Sequence, residues 1–274
     1  MRFLLLSSLC SLIAADIIAQ QAVFRSQSAN IDSYSIPTKS LSTTSNTKSF
    51  VLSRDNQTPV VKHKYAPKEV NIYLLPLFGE FEKTDAQKAV DAGFLKDCDI
   101  NFKTRSEASQ FFAARAWEYL SEGERDTATY RFNLAYMLNG ENSDAFWGLG
   151  VIAYQNEKYA QAIDLMNRGL EIEDNVTLIV DLSTVYIKCF TVDAEKEDLE
   201  KAFELLNKAI NKQPESANAL MQLSLAKLLN EEIDEAWERF HQGYELDPDN
   251  ASIAILEGLL AKKDDPKGVF KTKN

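Results

Sequence analysis

A period of 34 residues runs through the second half of the chain, and few folds can accommodate it. It is clearest in Ser143–Asp174, SDAFWGLGVIAYQNEKYAQAIDLMNRGLEIED. The first half places Phe146, Leu149, Gly150 and Ala153 at i, i+3, i+4 and i+7. The second half places Ala162, Met166 and Gly169 at i, i+4 and i+7, and a turn around Asn156–Lys158 separates the two. Each set is one face of a 3.6-residue helical period. The small residues Gly150, Ala162 and Gly169 stand where two helices must cross closely.

The same frame fits on either side. Thirty-four residues before Ser143 stands Ser109, and the frame 109–142 offers Phe112, Gly123 at the turn, Ala128, Phe132 and Ala135 in register. The frame 177–216 carries Val180, Ala202, Leu206, Ala209 and Pro214. It is 40 residues long, which predicts six extra residues between its helices around Thr191–Asp198. The frame 217–250 carries Leu220, Leu223, Ser224, Ala236, Phe240, Gly243 and Pro248. Ala251–Lys262 reads as one more helix, with Gly258 where a repeat places its glycine and no partner helix after it. That is the form of a solenoid's capping helix. From Asp264 the tail holds Pro266 and Gly268 and is expected to fray.

These residues resemble the tetratricopeptide repeat (TPR), whose signature runs large-x2-Leu-Gly-x2-Tyr, then Ala-x3-Phe, then Pro. Phe146 takes the usual Trp position with Trp147 one residue late; Ala153 replaces the Tyr, Met166 the Phe and Asp174 the Pro. The resemblance implies an all-α fold: a right-handed α-solenoid of about four TPR helix pairs, serving as a binding scaffold. The units are then 109–142, 143–176, 177–216 and 217–250, a capping helix at 251–263 and a tail at 264–274.

The chain opens with Met1, Arg2 and an apolar run from Phe3 to Ile18, interrupted by Ser7, Ser8, Ser11 and Asp16. A charged start, a short apolar core and a small residue at its end describe a secretory signal peptide, 1–19, with cleavage after Ala19 or, second, Ala22. The run is short for a membrane anchor, and Leu9 before Cys10 argues against lipidation there. Residues 20–66 are rich in Ser and Thr and lack helical periodicity, so they read as a disordered tether. The expected location is exported, periplasmic or extracellular. Cys98 and Cys189 fall in different helical units and read as two buried thiols. Residues 1–66 balance at +4 and the remainder at −15, which disfavours a nucleic-acid partner.

Order is expected from about Pro67. The leader at 67–108 begins with Glu69–Gly79, apolar but interrupted by Pro76 and Gly79, and is predicted to be extended. Thr84 and Gln87 form a capping-box pattern, opening a helix to about Asp97 with an apolar face of Ala86, Val90, Phe94 and Leu95. LPLFGEFEKTDAQKAVDAGFLKD followed by RSEASQFFAARAWEYL resembles the leader of a group of exported bacterial TPR proteins with a Pro-x-[Phe/Tyr]-Gly segment. That likeness covers residues 74–170 and implies an architecture and an envelope location, without an activity.

Little in the chain suits catalysis. His63 lies in the tether, and His241 reads as a surface residue of the last repeat; neither has neighbours at metal-ligand spacing. Carboxylate runs such as Glu231-Glu232 and Glu171-x-Glu173-Asp174 read as solvated turns. No metal, no cofactor and no enzymatic activity are expected. The remaining surface is the concave groove, which the TPR resemblance assigns to positions 2, 5, 9, 12 and 13 of each first helix. Those positions include Trp117, Trp147, Val151, Tyr154, Asp181, Val185, Lys188, Met221 and Leu225. Lys188 is the only cation among them, so capture of a terminal carboxylate is not implied. An apolar groove with two Trp and a Met suits an amphipathic helix or an extended apolar peptide. Phe146 fits the buried pattern, so Trp147, about 100° round the helix, should point into the groove. There either the leader segment Ile72–Phe78 or a partner should cover it. The expected function is a non-catalytic exported scaffold for a protein or peptide; the alternatives are a structural subunit of an envelope assembly or secretion complex, or an unrecognised hydrolase.

Overall fold

The computed structural model describes residues 65–270. The expected signal peptide, Cys10, His63 and nearly all of the tether lie outside them. Among the described residues there are ten α-helices and no strand. The chain divides into two compact units, here 65–140 and 141–270. The first holds α1 (Asp85–Asn101), α2 (Arg105–Ser121) and α3 (Arg125–Leu138). The second holds α4 (Ser143–Gln155), α5 (Tyr159–Ile172), α6 (Val176–Asp193), α7 (Lys196–Lys212), α8 (Ala217–Leu229), α9 (Ile233–Leu246) and α10 (Ile253–Leu260). Helices pack in sequential pairs, α2 on α3, α4 on α5, α6 on α7 and α8 on α9. In the second unit α5 also packs on α6 and α7 on α8, so the pairs stack as an α-solenoid.

Local chemistry alternates along the array. First helices start at side-chain caps: Thr104, Asn142, Asn175 and Ser216 each accept from an amide two or three residues on. Second helices have no side-chain cap and emerge directly from a tight turn. In three pairs that turn is the same hydrogen-bonded loop. Glu124 N–H donates to Tyr119 O, Lys158 N–H to Ala153 O and Glu232 N–H to Lys227 O, each at 2.9 Å. The residue before each donor is left-handed: Gly123 at φ 83°, Glu157 at 59° and Glu231 at 61°. This is the Schellman arrangement, which favours glycine at that position; two of the three places carry Glu instead.

The close crossing predicted at Gly150 is present. A Cβ there would lie 2.7 Å from Met166 Cγ and 3.4 Å from Ala162 O. The 34-residue period extends to buried hydrogen bonds: Ser109 Oγ donates to Ala135 O at 2.7 Å and Ser143 Oγ to Gly169 O at 3.0 Å. Both bonds tie the N-terminal part of one helix to the last turn of its partner.

Several expectations are corrected. The six extra residues of the third frame form no loop; α6 and α7 are lengthened to 18 and 17 residues and only two residues join them. The segment expected to be extended folds as two short 3-10 turns, Ile72–Leu74 and Pro76–Glu80, and Leu77, Phe78, Gly79 and Glu80 are all left-handed. Helix α1 runs on to Asn101, and its inward face is Asp91, Phe94 and Cys98, while Ala86 and Val90 face out. The face is rotated because Asp91 is the buried polar centre: it accepts from Tyr73 Oη at 3.0 Å and Lys83 Nζ at 2.5 Å. The tail does not fray up to Phe270, which packs against the core formed by α6 to α10.

Candidate functional site

The expected groove residues come from the same positions of successive first helices. Residues 147, 151 and 154 of α4 and 181, 185 and 188 of α6 each lie at i, i+4 and i+7, so each set forms one stripe. The structure joins the two stripes at one point: Trp147 Nε1–H donates to Asp181 Oδ2 at 2.8 Å. Both residues hold the fifth position of their frames. Neither is open to solvent, Trp147 being 7% and Asp181 7% exposed. Burial pushes the Asp181 carboxyl up to about 7, and the Trp147 hydrogen bond pulls it part of the way back. Trp147, expected in the groove under the leader or a partner, is buried here with its indole paired to Asp181. Its indole buries its rings and still pairs its one polar atom, the usual condition for an interior Trp.

The other expected residues separate. Val151 and Val185 are buried. Met221 and Leu225 belong to the core of α6 to α10, not to a groove. The reason is that α8 has neighbours on several sides, α6, α7, α9 and α10. Met221 also fills the notch at Gly243, where a Cβ would meet Met221 Cε at 3.0 Å. Trp117, in the first unit, is half-buried and turned onto its own partner helix, edge-on to Phe132 at 5.1 Å. Tyr154 and Lys188 are half-buried, with Tyr154 beside Tyr159 at 5.9 Å.

Sequence reasoning passed over two polar anchors. Asn133 on α3 is fully buried and binds the leader's backbone. Its Nδ2 donates to Tyr73 O at 3.0 Å and Leu75 O at 2.8 Å, and Leu77 N–H donates to its Oδ1 at 2.9 Å. Lys83 Nζ closes over the Phe78 ring at 3.3 Å. So Ile72, Tyr73, Leu77 and Phe78, offered above as a cover for Trp147, are spent on α3 within the first unit. The second anchor is His241, expected at the surface but 2% exposed and paired with Asp265 at 2.8 Å. Aligning the 25th residue of each frame would have flagged both, since Asn133 and His241 share that place.

Cys98 and Cys189 are buried and share no disulfide, and burial pushes the Cys98 thiol up to about 11. Among the described residues no group of three His, Cys, Asp or Glu could hold a metal ion. None of the described helices is long and apolar enough to cross a membrane.

No family model matches the chain. It is 23% identical over 153 residues to anaphase-promoting complex subunit 3 of Schizosaccharomyces pombe, covering 56% of this chain and 22% of that subunit. It thus spans about a fifth of that relative's length. Among solved structures, PilF of Pseudomonas aeruginosa superposes with a TM-score of 0.50 at 19% identity, over 58% of this chain and 70% of that one. YrrB, a TPR protein with an unusual peptide-binding site, gives 0.42 at 20% identity over 57% and 87%. The fold is that of a TPR protein.

Proposed function

We propose that the chain is a non-catalytic interaction scaffold whose 141–270 unit holds a helical or extended peptide along its first-helix stripes. The observation that carries this reading is the junction of those stripes: Trp147 and Asp181, at equal positions of successive repeats, hydrogen-bonded at 2.8 Å. Such a pair fixes the register of α4 against α6. Tyr154 and Lys188 stand half-buried at the twelfth position of the same two frames, the part of the stripes where a ligand would lie. An aromatic ring on one stripe and a cation on the next suit a segment that carries an apolar side chain and a carboxylate. The location read from residues 1–19, outside the cytoplasm, belongs to this proposal, and intact-mass measurement of the chain from culture fluid or periplasm tests it.

The binding test uses peptides selected by display against the full chain. Tyr154→Ala with Lys188→Glu should weaken the selected peptides about tenfold or more, a loss of about 1.4 kcal/mol. The melting midpoint should hold within a few degrees. Undiminished binding by the double variant refutes the assignment. A second reading, a permanent subunit of a larger assembly, draws on the likeness to a subunit of a multiprotein complex. It requires stoichiometric co-purification with a fixed set of proteins.

A further inference from the structure

Two non-repeat segments dock on repeats, and both meet the same repeat position. Asn133 is the 25th residue of the frame from Ser109, and His241 is the 25th of the frame from Ala217. In the frames between, the place belongs to Asn167 and, after six inserted residues, Asn207, both exposed. The outer side of a second helix is therefore used twice in this chain to receive an irregular segment. At Asn133 that segment is the leader, held by its backbone. At His241 it is the tail.

The tail's attachment is compact. His241 Nε2–H donates to Asp265 Oδ1 at 2.8 Å. The Asp265 carboxylate then gathers its own chain: Lys267 N–H donates to Oδ1 at 2.8 Å, Val269 N–H to Oδ2 at 2.7 Å and Phe270 N–H to Oδ2 at 2.8 Å. The carboxylate is fully enclosed. Burial alone would raise it, but the Phe270 and Lys267 amides and the His241 ring outweigh that and hold it below the usual carboxylate range. The turn delivers Phe270 onto aromatic side chains of α9. Its ring stacks on His241 at 5.9 Å and Trp237 at 6.5 Å, and meets Tyr244 at 4.9 Å and Phe240 at 5.6 Å edge-on. Pro266, Lys267, Gly268 and Val269 are exposed. Gly268 contributes its backbone, at φ 66° with nothing near its missing Cβ.

We propose that the α9 face formed by Trp237, Phe240, His241 and Tyr244 is a peptide-binding platform, filled here by the chain's own tail. In trans it takes a partner segment of the form Asp-x-x-Gly-x-aromatic. The platform touches two side chains of the tail, one carboxylate and one ring, and the glycine lets the turn bring them together. Any segment with those three features can compete. Its ordering cost is small because the Asp caps its own amides before it meets the protein. The tail is then a built-in competitor that sets the affinity a partner must exceed. The surface lies on a second helix, so its test is separate from that of the first-helix stripes.

The test is an anisotropy titration with a labelled peptide of residues 264–271, DDPKGVFK. Three chains are compared: the full chain, the full chain with Phe270→Ala, and a chain ending at Lys263. The two altered chains should bind the peptide at least about tenfold more tightly than the full chain. Peptides carrying Asp265→Asn or Phe270→Ala should lose that binding. Equal binding by all three chains, with the shortened one helical by circular dichroism, overturns the proposal. If the shortened chain does not fold, Phe270→Ala decides alone, and no gain over the full chain overturns it. A shortened chain that dimerises while ignoring the peptide overturns it as well.

Discussion

Replacing Asp181 by Asn should change how stability responds to pH, and the size of the change follows from the site. Asp181 is buried on α6 with one hydrogen bond, from Trp147 Nε1–H at 2.8 Å, and burial pushes its carboxyl up to about 7. In an unfolded chain the group titrates near 4. Between those values the folded form keeps a proton that the unfolded form has released. Its contribution is therefore fully present below about pH 4, falls as pH rises, and is gone above about 7. Linkage with those two values gives roughly 3 kcal/mol at pH 5 and almost nothing at pH 8. Asp181→Asn keeps an acceptor for Trp147 and removes the titration. Urea titrations of both chains at pH 5 and pH 8 give a difference of differences in which the other titrating groups cancel. From pH 5 to pH 8 the variant should gain about 2–3 kcal/mol on the parent. Curves that stay parallel within about 0.5 kcal/mol would mean that the carboxyl is hydrated or paired in solution, and the reasoning fails.

Three further outcomes follow from particular contacts. Asn133→Ala strands Tyr73 O and Leu77 N–H in a buried place and takes one of two donors from Leu75 O, which keeps Phe78 N–H. It should cost about 3 kcal/mol or more and speed chymotryptic cleavage within 73–78, whereas slow cleavage at parental stability would refute the clamp. Glu157→Gly and Glu231→Gly relieve left-handed backbone at φ 59° and 61°. Each should stabilise by about 0.5–1 kcal/mol in thermal melts, and a loss of stability would show that those turns are not left-handed. Cys98, buried and pushed up to about 11, should resist a thiol reagent at pH 8 until denaturant is added. Prompt labelling of the native protein would place that thiol at the surface.

Helix positions were legible because close crossing leaves few residue choices. Gly150 faces Met166 and the Ala162 carbonyl at distances that exclude a larger side chain. Ser109 and Ser143 bond the partner helix at the same offset. Such positions recur with the period and can be counted. The inserted residues of the third frame could be counted too, but not placed. Six residues are less than two turns, and sharing them between α6 and α7 adds intrahelical hydrogen bonds that a loop would forgo. The left-handed run at Leu77–Glu80 was not legible at all, since its only sequence sign is Gly79. Asn133 and the Phe78–Lys83 contact hold it, and both partners are distant or outside the run.

The site was harder to read because its decisive groups are polar ones that the chain hides. A carboxylate in sequence is assigned to solvent by default, and most here obey. Asp181 and Asp265 do not, and what retains them differs. Asp265 is held by three amides and an imidazole, enough hydrogen bonds to keep a buried charge. Asp181 has one indole N–H, which is not enough, so its carboxyl rises toward neutrality. The first arrangement is suited to a fixed attachment that persists from mildly acid to alkaline pH. The second leaves a group whose charge is decided by what lies over it. A partner that brings a hydrogen-bond donor or a cation to Asp181 would lower its pKa and release a proton at pH 7; one that brings only apolar surface would raise it and take a proton up. Calorimetric titration of a selected peptide at pH 7 in buffers of different ionisation enthalpy reads that proton count directly. Peptides that cover the Trp147–Asp181 junction with apolar side chains should show net uptake, and zero exchange would place them elsewhere on the chain.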